Sequence, residues 1–171
     1  MVRYDFFLIW CQKKPPALKA MEKTGPEKIV PGVNFRDYET ADYAAVIDLW
    51  EKTGLGGTLR GDDREAIERT LHLGGKLLVA VLPGGRLIGS SWMTYDGRRI
   101  HLHHIAVLPE WQRRGIGRKL TELSIGFARK TGTQIKLEVH QSNKGAVKIY
   151  RELGFRYLGD YDVYIMRDFS P

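Results

Sequence analysis

From Val33 onward, apolar and polar positions alternate with a regular succession of periods. Val33 to Arg36 reads as a short strand. Val46, Leu49 and Trp50 then recur at helical spacing, with Thr40 as the expected N-cap and Asp42 in the first turn. Asp62 or Asp63 opens a second helix that carries Ile67 and Leu71, and the intervening Gly54-Leu55-Gly56-Gly57-Thr58 is a loop. Three β-rich runs follow, Lys76 to Leu82, Leu87 to Thr94 and Ile100 to Leu108. They are separated by Pro83-Gly84-Gly85 and by Asp96-Gly97, turn signals that predict an antiparallel meander. After Pro109, the positions Ile116, Leu120, Leu123 and Phe127 form a helical stripe. A strand (Thr133 to Val139), a helix (Asn143 to Leu153) and a terminal strand pair (around Phe155 to Leu158 and Val163 to Met166) complete the pattern.

Residues 1–31 lack this order. Lys13-Lys14-Pro15-Pro16, Gly25-Pro26 and Pro31-Gly32 interrupt any long helix, so the chain divides into an N-terminal extension, 1–31, and one domain, 32–171. The extension carries Arg3, Lys13, Lys14, Lys19, Lys23 and Lys28 against Asp5, Glu22 and Glu27. Its apolar run ending at Trp10 contains Asp5 nearby and no small-residue cleavage site, a poor signal peptide. No stretch approaches the roughly 20 apolar residues that span a bilayer, so no membrane partner is expected. A lone cysteine, Cys11, cannot form a disulfide within the chain and fits a reduced, cytoplasmic setting.

The net charge of +7 admits a nucleic-acid binder, an enzyme for a polyanionic cofactor, or a solvated basic surface. Charge alone does not choose. No nucleic-acid motif or aromatic platform flanks the basic residues, which argues against the first.

The clearest chemistry lies in Val107-Leu108-Pro109-Glu110-Trp111-Gln112-Arg113-Arg114-Gly115-Ile116-Gly117. A strand ends at proline, a loop follows, and two glycines open an amphipathic helix. Unpaired amides at a helix N-terminus, with the macrodipole, make an anion site. Gly115 and Gly117 permit close approach of a diphosphate, and Arg113, Arg114, Arg118 and Lys119 add positive charge. The third glycine and acidic residue of a dinucleotide fold are missing, as is the Gly-Lys-Ser/Thr of a Walker loop.

Gln112-Arg113-Arg114-Gly115-Ile116-Gly117 resembles the central Q/R-x-x-G-x-G/A motif of the GCN5-related N-acetyltransferases (GNAT). A second family signature matches Asn143, Ala146, Tyr150 and Leu153-Gly154-Phe155. The resemblance covers about Val33 to Asp168. It implies an α/β (α+β) fold with a mixed, mostly antiparallel sheet of about seven strands and about four helices, splayed between strands four and five. It also implies acetyl-coenzyme A as cosubstrate, with no metal. The pantetheine arm would run along Ile105, Ala106 and Val107, and the pyrophosphate would lie on amides from about Arg113 to Arg118. Asn143 would hydrogen-bond the cofactor, and Tyr150 would lie near its sulfur.

Transfer to an amine needs a proton acceptor and, for the departing thiolate, a donor. The resemblance makes Tyr150 the acid. Two bases stay open. Leu137-Glu138-Val139-His140-Gln141-Ser142-Asn143 is similar to the ribosomal-protein alanine N-acetyltransferases, where a glutamate in Glu138's place is the base. His101-Leu102-His103 is similar to the paired histidines of the arylalkylamine N-acetyltransferases. Strand alternation places His101 and His103 on one face and His104 on the other, which disfavours a three-histidine metal site. The expected activity is acetyl transfer to a primary amine, on a small molecule or a protein N-terminus. The alternative is a catalytically idle coenzyme A-binding regulatory module. The acceptor and the oligomeric state stay open, a homodimer included.

Overall fold

Five strands form one sheet in chain order. β1 (Asn34–Asp37), β2 (Lys76–Val81), β3 (Leu87–Tyr95) and β4 (Arg99–Val107) are antiparallel, and β5 (Gln134–Leu137) joins β4 in parallel. The helices are α1 (Tyr43–Lys52), α2 (Arg64–His72), α3 (Ile116–Thr131) and α4 (Lys144–Glu152). The computed structural model describes residues 31–55, 61–159 and 162–166. The N-terminal extension, apart from Pro31, and residues 56–60 of the glycine-rich loop lie outside the described residues.

Two neighbouring serines on β3 show how the layers stack. Ser90 Oγ accepts a hydrogen bond from Trp50 Nε1 of α1 (2.9 Å), whereas Ser91 Oγ pairs with Ser124 Oγ of α3 (2.8 Å). Successive strand residues point to opposite faces, so α1 covers one side of the sheet and α3 the other. β3 is therefore buried from Leu87 to Met93. Trp50 stacks on Trp92 at 5.3 Å on the first side, and Ile116 and Leu120 close on Gly89 on the second. A Cβ at Gly89 would stand 3.1 Å from Ala106 O and 3.2 Å from Leu120 Cδ1, so glycine sets how closely α3 approaches.

The sheet opens after Leu102. β5 pairs with β4 only from Arg99↔Gln134 to Leu102↔Leu137, while β4 continues to Val107 with β3 on its other side. This is the splay that the family resemblance implies.

Three expectations need correction. First, Phe155 to Leu158 and Val163 to Met166 form no strands, so the described sheet has five strands rather than about seven. Tyr157 and Tyr164 are 82% and 87% exposed. Period-two alternation reports a face to be buried but not the edge that would receive it, and a hairpin without an apolar layer beneath it is marginal. Second, Thr40 is not the N-cap of α1. It starts a one-turn 3-10 segment capped by Glu39, because Asp42 accepts from Glu39 N–H (2.8 Å) and from both terminal nitrogens of Arg36 (2.6 and 2.8 Å). Third, His104 shares a face with His101 and His103. Ser91 pairs with Ile105 and Met93 with Leu102, so Trp92 alone faces both His103 and His104. This bulge adds one residue to β4 and breaks the alternation there. His104 accordingly lies 4.7 Å from Trp50 and 5.4 Å from Trp92, while His103 lies 5.6 Å from Trp92 and 4.1 Å from His101.

Candidate active site

The open edge of β4 presents a specific set of backbone groups. Leu108 N–H donates to Ile88 O (3.0 Å), towards β3. Along an antiparallel strand the bonding direction alternates, so the groups of Ile105 and Val107 point into the splay. Gln112 reaches back to this edge, donating from Nε2 to Val107 O at 3.0 Å.

Beyond Val107 the chain makes one 3-10 turn, Pro109–Trp111, and then reverses handedness twice. Arg113 has φ 57° and Gly115 φ 77°, with Arg114 between them on the ordinary side. Such alternation curls successive amides into a concave nest for anions. It runs directly into the N-terminus of the 16-residue α3, whose first N–H groups lack helical partners. Arg113 is the one non-glycine residue with positive φ among the described residues, a local strain that functional loops tolerate. Arg114 is held over the Trp111 ring at 4.8 Å.

These elements enclose a cleft of about 450 Å³ together with the start of α4. It gathers Ile105, Val107, Gln112, Arg113, Arg114, Gly115, Gly117, Arg118, Asn143 and Tyr150, ten of the residues singled out from sequence. Ala106 and Ile116 do not line it, since both are buried in the core. Thr121, Gly145 and Ile149 line it and were not anticipated, and Ala146 of the second family signature lines it too. Helical spacing could have found two of them: Thr121 lies one turn after Gly117, and Ile149 lies one turn after Ala146. Arg118 pairs with Glu152 and so ties α3 to α4 behind the cleft. Asn143 caps α4, its Oδ1 accepting from Ala146 N–H at 3.1 Å. A second hollow of about 360 Å³, between β1, β2 and α3, contains none of the motif residues.

A family model described as an acetyltransferase (GNAT) domain matches residues 60–163, more than half of the chain. The chain belongs to the GNAT acetyltransferase family. Among curated relatives, N-alpha-acetyltransferase RimI of Mycobacterium tuberculosis is 38% identical over 85 residues, 47% of this chain and 52% of that protein. The chain thus spans about half the length of that relative. An acetyltransferase from Streptococcus agalactiae superposes with a TM-score of 0.67 at 24% identity, covering 80% of this chain and 92% of the other. YncA of Salmonella typhimurium, described as a putative acetyltransferase with its cofactor acetyl-CoA, gives 0.64 at 23% identity over 75% and 82%. Both structural likenesses concern the fold. Among the described residues, no helix is long and apolar enough to cross a membrane, and no group of three or more His, Cys, Asp or Glu could hold a metal ion.

The proton-handling candidates of this GNAT chain occupy three positions. Tyr150 sits in the cleft with its ring 5.7 Å from Phe155, and burial raises its phenol above the ordinary value of 10. It therefore stays protonated near neutral pH. His103 on β4 and Glu138 directly after β5 stand where the two strands part at the splay, outside the cleft lining. His103 precedes Ile105 by two residues, roughly 7 Å along the strand. Its edge reaches solvent, but Trp92, His101 and His104 crowd its other sides. Burial, then the neighbouring imidazoles, lower it to about 4. Its Nε2 is engaged by Thr94 Oγ1 at 2.8 Å. Glu138 follows the last residue of β5 and pairs with Lys136 Nζ at 3.0 Å; that hydrogen bond chiefly lowers its carboxyl pKa. Both groups are thus unprotonated at neutral pH.

Proposed function

We propose that this chain transfers an acetyl group from acetyl-coenzyme A to a primary amine, on a small molecule or a protein N-terminus, by direct attack. The observation that carries the reading is the convergence of an amide nest, an open strand edge and a protonated tyrosine on one cleft. The cleft's chemistry fits the cosubstrate: amides from Arg113 to Arg118 suit a pyrophosphate, and Ile105 and Val107 offer strand-like pairing to an amide-bearing pantetheine arm. Asn143, already positioned as a cap, can present its side-chain amide to the arm. When bound, acetyl-coenzyme A supplies the activated thioester.

Tyr150 Oη then donates a proton to the departing thiolate. Its raised pKa keeps the proton available across the neutral range. His103 on β4 and Glu138 just beyond β5 flank the splay, and either can accept the proton that the amine releases. Glu138 is favoured, because Lys136 engages only its Oε1 and leaves Oε2 to accept a proton, whereas His103 Nε2 is engaged by Thr94. The similarity to an N-alpha-acetyltransferase supports a peptide α-amine among the acceptors.

The test is incubation of the full chain with acetyl-coenzyme A and a panel of primary amines and unblocked peptides, read by mass spectrometry of the products. A single acetyl on the amine nitrogen is expected. Cofactor binding without acetylation of any amine would refute the proposal.

A further inference from the structure

Behind the histidine face lies a polar pair that the proposed chemistry does not use. His104 Nε2 stands 3.0 Å from Asp62 Oδ2, a contact spanning 42 residues of sequence. Both partners are largely enclosed, with side chains 10% and 15% exposed. Asp62 is not needed to cap α2, because Asp63 does so, accepting from Ala66 N–H at 2.7 Å. A buried polar pair seldom outperforms an apolar one in stability, and its best-attested use is to fix one arrangement among several.

What it would fix is visible in the contacts. His104 occupies the bulge, and its ring meets Trp50 at 4.7 Å and Trp92 at 5.4 Å, both edge-on. Trp92 in turn backs His103 at 5.6 Å, and His103 stacks with His101 at 4.1 Å. Trp92 is 4% exposed, and its indole N–H has no hydrogen-bond partner among the described residues, so no bond of its own sets its orientation. A strand bulge re-aims the side chains that it carries. Here the side chains stand beside the opening of the sheet.

We propose that Asp62 and His104 form a positioning pair that pins the start of α2 to the β4 bulge, and through Trp92 holds the His101–His103 rings as a fixed wall for the incoming amine. The proposal rests on reading the splay as the acetyl-transfer site. Neither residue touches the reacting atoms; both act through the wall.

The experiment combines imidazole NMR titration with steady-state kinetics on Asp62→Ala, Asp62→Asn and His104→Asn in the full chain. The acceptor probe is an unblocked alanine-terminated peptide. In Asp62→Ala the His103 midpoint should move from about 4 towards 6.5 as the wall loosens and water enters. The peptide KM should rise about tenfold, with acetyl-coenzyme A affinity held within about twofold. Asp62→Asn retains a hydrogen-bond acceptor for His104 and should restore both values. An Asp62→Ala protein that melts lower but keeps the wild-type His103 midpoint would overturn the proposal, since the pair would then only stabilise. If Asp62→Ala does not fold, His104→Asn decides by the same shift of the His103 midpoint, and an unshifted midpoint there overturns the proposal. If the wild-type chain acetylates nothing, the functional reading fails, and the NMR titration still judges the wall.

Discussion

Gly117 offers a substitution whose effects on stability and on ligand affinity should have opposite signs. It is the second residue of α3, and a Cβ there would meet only Val107 Cγ2 at 3.7 Å, an ordinary contact. Gly117→Ala should therefore fold without strain and gain up to about 0.5–1 kcal/mol from reduced backbone entropy in the unfolded chain. That corresponds to a rise of roughly 1–4 °C in melting temperature for a domain of this size. The same methyl projects into the cleft where the amide nest would hold a pyrophosphate. Displacing one charge-assisted amide contact costs about 1.5–3 kcal/mol, or about 10- to 150-fold in affinity. Acetyl-coenzyme A at 100 times its wild-type Kd should stabilise the wild type by about 2.7 kcal/mol. With a Kd weakened about 30-fold, the same concentration should stabilise the variant by only about 0.9 kcal/mol. Thermal denaturation with and without acetyl-coenzyme A, paired with calorimetric titration, measures both quantities. A variant that melts higher and binds as tightly as the wild type would refute the placement of the pyrophosphate. Gly117→Val should weaken binding further.

Four further outcomes can be measured. Tyr150→Phe keeps the ring's packing against Phe155 and removes the proton donor, so kcat should fall by about 10²–10⁴-fold with cofactor affinity nearly intact; an unaltered kcat with chemistry rate-limiting would remove Tyr150 from the acid role. His103 titrates near 4 in the folded chain against 6.5 unfolded, so its contribution to stability is complete above about 6.5 and is lost as pH falls towards 4. His103→Gln should flatten the melting-temperature profile in that window, and solvent contact at the ring edge makes the effect modest. The larger loss in kcat/KM is expected for Glu138→Gln, while His103→Gln should change mainly the amine KM; near-wild-type rates in both variants would leave water as the proton acceptor. Finally, deletion of residues 1–31 should leave cofactor binding within a few fold. An insoluble product would place the apolar run from Phe6 to Trp10 in the core or in a dimer contact.

The meander and the glycine loop before α3 were legible because their signals are local. Asp96-Gly97 fixes a turn, Pro109 ends a strand, and Gly115 takes the left-handed conformation that opens α3. Eight of the ten predicted residues in the cleft meet there for the same reason, since strand end, loop and helix start are contiguous in sequence, and Asn143 and Tyr150 join them from α4. The β4 bulge was not legible. His101, His103 and His104 read as simple alternation, and only the pairing with Trp92 shows the extra residue. The Asp62–His104 contact was equally hidden, because a link across 42 residues leaves no periodic trace. At the C-terminus, the alternation around Val163 to Met166 marked strands that the described sheet does not contain. Pattern specifies the burial that a segment seeks, whereas strand pairing depends on an edge elsewhere in the chain.

The most direct test of the central claim is amine-dependent release of coenzyme A thiol, measured in parallel for wild type, Gly117→Val and Tyr150→Phe. One thiol released per acetylated amine is expected in the wild type. Gly117→Val should lose the reaction at limiting cofactor and recover at least part of it at high cofactor, whereas Tyr150→Phe should stay slow at every cofactor concentration. Tight acetyl-coenzyme A binding with no amine-dependent thiol release would contradict it and leave a coenzyme A-binding module without transfer activity.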